Sequence, residues 1–168
     1  MSAASPMRAL GLAVLLAICA YPIAGNTADA PQAVLDGLVQ HAVTITPETL
    51  KAGPPSTVHI SYLTRNGPEE ADFAGVSLWD LLNHAGFGEA AGDRKARARH
   101  YLVVTGRDGY QVVIALGEID PDFEGKTALI AISRNDAPLP PRDGLRLVVP
   151  GDKHGGRAVY DVAHIELK

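Results

Sequence analysis

The sequence predicts an α+β protein, rich in strands and carrying only a few short helices. Three observations predict it. Short alternating apolar runs are broken by proline and glycine at close intervals, as when short strands are joined by turns. One segment alone has a clear helical period, with a serine placed to cap it. An Asp-Gly pair lies between two apolar runs, which marks a tight hairpin.

The first thirty residues are set apart from that fold. Arg8 precedes "ALGLAVLLAICA", an apolar run shorter than the roughly 20 residues a membrane span needs. Ala28-Asp29-Ala30 follows, with small residues at the two positions a signal peptidase reads. Residues 1–30 are therefore expected to be a secretory signal, with export to the periplasm or beyond. A lipid anchor on Cys19 is the rival reading, although Ile18 stands where a small residue is expected. Cys19 is the only cysteine, so cleavage leaves no disulfide, no thiolate nucleophile and no sulfur ligand.

Residues 31–168 are expected to form one domain. Arg8 and Asp29 leave together, so the net charge stays at −4. That balance excludes nonspecific nucleic-acid binding, which requires a cationic surface.

In chain order, "HAVTIT" (41–46) is the first expected strand. Thr46-Pro47 then caps and opens a short helix through Leu50, which Gly53-Pro54-Pro55 stops. "STVHISYL" (56–63) alternates, with Val58, Ile60 and Tyr62 on one face and His59 and Ser61 on the other. Arg65-Asn66-Gly67-Pro68 reads as a turn.

"GVSLWDLLNHAG" is the clearest helix: Leu78, Leu81, Leu82 and Ala85 form one stripe, Ser77 and Asp80 form a capping box, and Gly86 suits the left-handed end. Trp79 lies at the edge of the stripe and is read as a packing residue. "YLVVTGRDGYQVVIAL" is the hairpin, turning at Asp108-Gly109, and one helical turn follows over 117–120. "KTALIAIS" (126–133) and "GLRLVVP" (144–150) are strands on either side of a proline-rich turn. The last strand places Ala163, Ile165 and Leu167 on one face and His164, Glu166 and Lys168 on the other, with a phase slip near Asp161 and Val162 that calls for a bulge.

The chain has no G-x-S-x-G elbow, H-E-x-x-H pair, P-loop or dinucleotide fingerprint. "DPDFEG" imitates the start of a calcium loop, but its twelfth position is Ala131, so Asp120, Asp122 and Glu124 are expected to be a solvated turn. The six histidines lack metal-ligand spacing; His59 and His164 would converge only if their strands paired. Arg94, Lys95, Arg97 and Arg99 are read as a solvated approach to a strand. The loop "GDKHGGRAVYD" (151–161) is the strongest candidate site. Gly151, Gly155 and Gly156 can adopt positive φ and form an anion nest, with Lys153, His154 and Arg157 as donors around it. The planar fork of Arg157 matches phosphate oxygens. An exposed hairpin loop whose charges serve solubility is the equal alternative.

The succession "GVSLWDLL…DGY…PLP…LRLVVPG", together with "STVHISYL", resembles the molybdopterin-binding oxidoreductase domain of the sulfite oxidase family, in its small exported branch. The resemblance implies a mixed fold of coiled antiparallel strands with few helices. It also implies a molybdopterin cofactor, its phosphate contacted by Arg157, Lys153 and His154 with Gly155 and Gly156, and Tyr110 and Tyr160 as walls. In catalytic members a cysteine thiolate holds the metal after the strand that "STVHISYL" resembles. Ser61, Tyr62 and Leu63 stand there, and residues 31–168 contain no cysteine. Tyr160 and Asp161 stand where the family carries lysine and tryptophan.

Three functions follow. The first is a domain that binds a pterin or other small anionic ligand without the metal thiolate. The second is a non-catalytic scaffold docking a periplasmic redox protein. The third is a molybdenum oxidoreductase completed by a partner or by an oxygen of Ser61 or Tyr62.

Overall fold

The computed structural model describes Met1 and residues 30–87 and 93–168; the expected signal, its Cys19 and most of its cleavage motif lie outside these. Ten strands, two short helices and several single helical turns are built among the described residues.

The first sheet contains β1 (Ala33–Gly37), β2 (Val43–Ile45), β5 (Tyr101–Gly106), β6 (Gln111–Ala115) and β10 (Val162–Leu167), in the order β2-β1-β10-β5-β6. The β1–β10 pair is parallel and the others are antiparallel. The second sheet contains β3 (Ser56–Thr64), β4 (Gly67–Ser77), β7 (Leu129–Arg134) and β8 (Ala137–Pro138) in that order, with β9 (Arg146–Val148) also paired to β7. This is the strand-rich α+β fold that the sequence predicts.

The locally encoded elements form as expected. In α1 (Pro47–Ala52) the Thr46 hydroxyl accepts the Thr49 amide at 3.3 Å, and Thr49 Oγ1 accepts the Thr46 amide at 2.8 Å. In α2 (Leu78–His84) Ser77 Oγ accepts the Asp80 amide at 3.0 Å, and Leu78, Leu81, Leu82 and Ala85 are buried. The cap differs in one detail: the Asp80 carboxylate accepts from the Ser77 hydroxyl at 2.5 Å, while Ser77 itself still belongs to β4 and pairs with Leu129. Gly86 is left-handed at φ 80°. Trp79 packs edge to face on Phe87, 6.0 Å between centroids. The β5–β6 hairpin turns at Asp108-Gly109, with Gly109 at φ 84° and the Asp108 carboxylate accepting the Tyr110 amide at 2.9 Å.

Three strands are not among those the sequence predicts: β1, β4 and the two-residue β8, which lies in the proline-rich turn. β1 precedes "HAVTIT", of which only Val43–Ile45 is strand. β4 is the longest strand, paired on both sides by β3 and β7, although it opens with Glu69, Glu70 and Asp72. The bulge expected in β10 is present: Val162 opposes Gly106 and His164 opposes Thr105, so Ala163 is the extra residue, and Val162, Ile165 and Leu167 are the buried face.

The main core joins both sheets and α2, through Leu35, Leu102, Ile114, Ile165, Ile130, Leu147, Leu78 and Leu82. A smaller cluster of second-sheet residues contains Val58, Ile60, Tyr62, Phe73, Leu129 and Val148. No helix among the described residues is long and apolar enough to cross a membrane.

Three expectations about charged groups are corrected. His59 and His164 lie in different sheets and do not converge: His59 Nδ1 meets Asp72 at 2.8 Å and His164 Nε2 meets Asp36 at 2.8 Å. Asp120 is not part of a solvated turn. It is 1% exposed and accepts from Arg97 Nε at 2.7 Å, while Asp122 binds the same guanidinium. Arg97 is therefore no solvated cation either, because burial of the Asp120 carboxylate requires a charged partner.

Candidate functional site

The end of β3 and the 151–157 loop build one cavity. The Leu63 amide donates to the Lys153 carbonyl at 3.1 Å, and Leu63 and His154 form a parallel bridge, so the loop lies along the end of β3. Tyr110, just beyond the hairpin turn, donates its hydroxyl to the Gly156 carbonyl at 2.6 Å. Gly155 packs on the ring of Tyr62, where an added Cβ would stand 2.9 Å from Cε2.

The loop is clasped from behind. Arg157 donates Nε to Asp152 Oδ2 at 2.9 Å and Nη2 to Asp152 Oδ1 at 2.5 Å, and Nη1 to Glu118 Oε2 at 2.7 Å. Bidentate pairing with Asp152, together with Glu118, raises the Arg157 pKa despite partial burial. Burial pushes the Glu118 carboxyl up, but the Arg157 hydrogen bond and the Ala115 amide outweigh it, and the pKa is lowered below its ordinary 4.5. A carboxylate with a depressed pKa in the folded state contributes stability above its unfolded pKa and loses it as pH falls through the folded one. The 151–157 clasp is thus expected to loosen only below pH 4.5. A pH titration of the Gly155 and Gly156 amide resonances checks this; a midpoint above 4.5 would contradict it.

The resulting cavity, about 700 Å³, is walled by Tyr62, Tyr110 and Tyr160, with Arg65, Asn66, His154, Gly155 and Gly156 among its other lining residues. Of the residues expected from sequence, His154, Gly155, Gly156, Tyr110 and Tyr160 are brought together here. Lys153 and Arg157 are not among the lining residues; Lys153 contributes its carbonyl, and the fork of Arg157 faces carboxylates. The nest is also corrected: Gly151 has φ 84°, but Gly155 and Gly156 do not adopt positive φ and instead open a single 3₁₀ turn, Gly155–Arg157. A row of amides in one turn exposes fewer donors than the alternating conformation of a nest.

Sequence reading missed Arg65 and Arg146. Arg65 stands at the cavity with no ion pair among the described residues. Arg146, the first residue of β9, is 1% exposed. Its guanidinium lies 4.6 Å from the Phe73 ring centroid and 4.3 Å from that of Tyr160, with Glu69 at 3.2 Å and the Tyr62 hydroxyl at 2.8 Å as acceptors. Burial opposes the Arg146 charge, and the Glu69 hydrogen bond outweighs it, so the pKa is raised. Burial likewise raises the phenols of Tyr62 and Tyr160, which stay neutral. The available signal was an arginine inside the apolar run "LRLVV", a place where a strand face would have to bury it.

Residues 26–168 match the family described as oxidoreductase molybdopterin binding domain. The chain belongs to that family. A solved structure with the same fold is the sulfane dehydrogenase SoxCD from Paracoccus pantotrophus, at 19% identity and a TM-score of 0.65. The alignment covers 81% of this chain and 37% of that one, so the chain spans well under half the length of this neighbour. No curated protein matches it.

The molybdopterin-binding family implies a metal-bearing cofactor, and the donor set here does not fit the metal. No cysteine lies among the described residues. Of the positions nearest the family's thiolate, Ser61 is on the exposed face of β3, Leu63 is apolar, and the Tyr62 hydroxyl is engaged by Arg146. No group of three or more His, Cys, Asp or Glu side chains able to hold a metal occurs among the described residues. The three tyrosines offer stacking surface for a planar ring, and Arg65, with no ion pair among the described residues, offers donors to an anionic group attached to one.

Proposed function

We propose that this domain binds a pterin-type ligand, planar and anionic, in the tyrosine-walled cavity, and that it does so without a thiolate-held metal. The observation that supports this most is the convergence of Tyr62, Tyr110 and Tyr160 with Arg65 and His154 on one cavity. In this reading His154, Gly155, Gly156 and Tyr160 contact the ligand. Arg157 is a positioning residue that holds the loop on Asp152 and Glu118, and Lys153 supplies charge at the loop's outer edge. Residues 1–30 direct export, so that residues 31–168 act as one periplasmic or secreted domain.

The test is to express the full chain in a host that makes molybdenum cofactor, purify it from the exported fraction, and assay both molybdenum and the fluorescent oxidised pterin. The expected result is near-stoichiometric pterin with no matching molybdenum, and loss of the pterin in Arg65→Ala and Arg157→Ala. Pterin with equal molybdenum would instead favour an oxidoreductase completed by a partner or by Ser61 or Tyr62.

A second reading has one observation in its favour: Leu63, Tyr110, Tyr160 and Val113 are all exposed apolar side chains, three of them on the cavity. That patch suits a scaffold that docks a periplasmic redox protein. A folded, exported protein with neither pterin nor metal supports it over the first.

A further inference from the structure

We propose that the outer edge of β6 pairs with the same edge of a second copy of this chain, joining the two first sheets into one continuous sheet across a two-fold axis. This inference does not depend on pterin binding.

The ladder decides which groups face outward. The Gly106 amide donates to the Tyr110 carbonyl at 2.9 Å, and the Leu116 amide donates to the His100 carbonyl at 2.9 Å, so the even-numbered residues of β5 and β6 face each other. Tyr101 and Lys168 exchange both of their amide bonds, at 3.0 and 2.9 Å, which turns the odd-numbered residues of β5 toward β10. Gln111, Val113 and Ala115 therefore direct their amides and carbonyls away from the sheet, because successive residues of a strand alternate. The Ala115 amide donates to Glu118 Oε1 at 3.2 Å. Gln111 and Val113 have no backbone partner on that side among the described residues.

The other edges are protected, and this one is not. An open edge is normally blunted by charge, proline, shortness or a covering loop. β2 has three residues and runs into Thr46-Pro47. β3 carries His59 between Glu70 and Asp72, and its Leu63 amide is taken by Lys153. β8 contains Pro138, and β9 is bridged by Val159. In β6 the run "QVVIA" has no charge and no proline, and its register with β5 shows no shift. Val113 is 55% exposed and lies directly beside Val103.

A second copy fits this edge because the edge is complementary to itself. A two-fold axis at Val112 sets Gln111 opposite the partner's Val113, and Val113 opposite the partner's Gln111. Each of those pairs exchanges two hydrogen bonds, which satisfies every outward amide and carbonyl of both residues. An axis at Val113 is the poorer register, since it would oppose Gln111 to Ala115, whose amide Glu118 already holds. No like charges meet along the seam, because β6 carries none. An isologous contact occupies both edges, so association closes at two copies. The contact is narrow and mostly backbone, which places it with weak, concentration-dependent dimers.

The test uses the full chain, purified from the exported fraction of a host that lacks molybdenum cofactor, so that its outcome is separate from that of the pterin reading. Sedimentation velocity is recorded from about 1 µM to about 1 mM, the span of weak association. A reversible monomer–dimer equilibrium with no larger species is expected. Val113→Pro should weaken it about 30-fold, since each copy loses one outward hydrogen-bond donor. That amide makes no bond to β5, so proline leaves the ladder within the chain intact and circular dichroism should match the parent. Val113→Lys, should the proline variant not fold, places a charge on the seam in each copy and should weaken the dimer roughly 5-fold.

Hydrogen exchange locates the contact. The amides of Gln111 and Val113 should gain protection as concentration rises, whereas those of Thr57, His59 and Ser61 on the β3 edge should not. A monomer at every concentration would overturn the proposal. So would a dimer that the folded variants leave unchanged, or one that protects the β3 amides instead.

Discussion

Arg146→Met is expected to destabilise the fold by about 3–5 kcal/mol, the range for removing one partner of a buried ion pair. For a domain of this size that corresponds to a fall in Tm of roughly 10–20 °C. The cause is the carboxylate left behind. Glu69 is 13% exposed on its side chain and would keep only Arg134, at 3.5 Å. Tyr62 would lose the donor that fixes its hydroxyl, and the Phe73 and Tyr160 rings would lose the cation between them. Thermal unfolding followed by circular dichroism measures the effect. The double variant Arg146→Met, Glu69→Leu should recover most of the loss, since replacing both charges removes the uncompensated one. A single variant that unfolds within 3 °C of the parent, the shift of roughly 1 kcal/mol, would show that the pair contributes little.

Gly155→Val is expected to empty the tyrosine-walled cavity of ligand. A Cβ at residue 155 would stand 2.9 Å from Tyr62 Cε2 and 3.3 Å from Cδ2. The Tyr62 ring cannot readily yield, because it is 6% exposed and its hydroxyl is held by Arg146. The loop must give instead, which strains the Leu63–Lys153 hydrogen bond that seats it on β3. Overpacking of this kind costs about 1–3 kcal/mol, and placed on the loop it corresponds to a loss of retained pterin of roughly 5- to 150-fold. Gly156→Ala is the comparison for the loop alone: a Cβ there meets nothing within 4 Å, so the loop should keep its seat on β3. Pterin in Gly155→Val equal to that of the parent would place the ligand elsewhere.

The difference between these neighbouring glycines shows where sequence reading stops. Both are permissive residues in a basic loop, and nothing local distinguishes them. Only the approach of Tyr62, from a strand about ninety residues earlier in the chain, makes one of them obligatory. Arg157 teaches the same point. Its position in "HGGR" and its planar fork suit a phosphate, yet Asp152 and Glu118 take that fork. Asp152 was near in sequence; Glu118 reaches it from the helical turn Leu116–Ile119.

Elements whose stabilising contacts are local were legible. Ser77 capping Asp80, Thr46 with Pro47, and Asp108-Gly109 each act within a few residues, so their chemistry can be read along the chain. β4 was not legible. Its acidic start looks like a loop, and its strand state comes from hydrogen bonds to β3 and β7 on either side. Strand propensity is weak beside that kind of pairing.

By itself the sequence determined the strand-rich class, the α2 helix and hairpin, the absence of any thiolate from residues 31–168, and the loop around which the candidate site is built. The tertiary structure alone decided which side chains face that site. It turned Arg157 onto carboxylates, brought Tyr62 and Arg65 to the glycine loop, and buried Arg146 between two rings. The physical reason is range: caps and turns are satisfied within one segment, whereas a buried charge must find acceptors and rings wherever the folded chain supplies them.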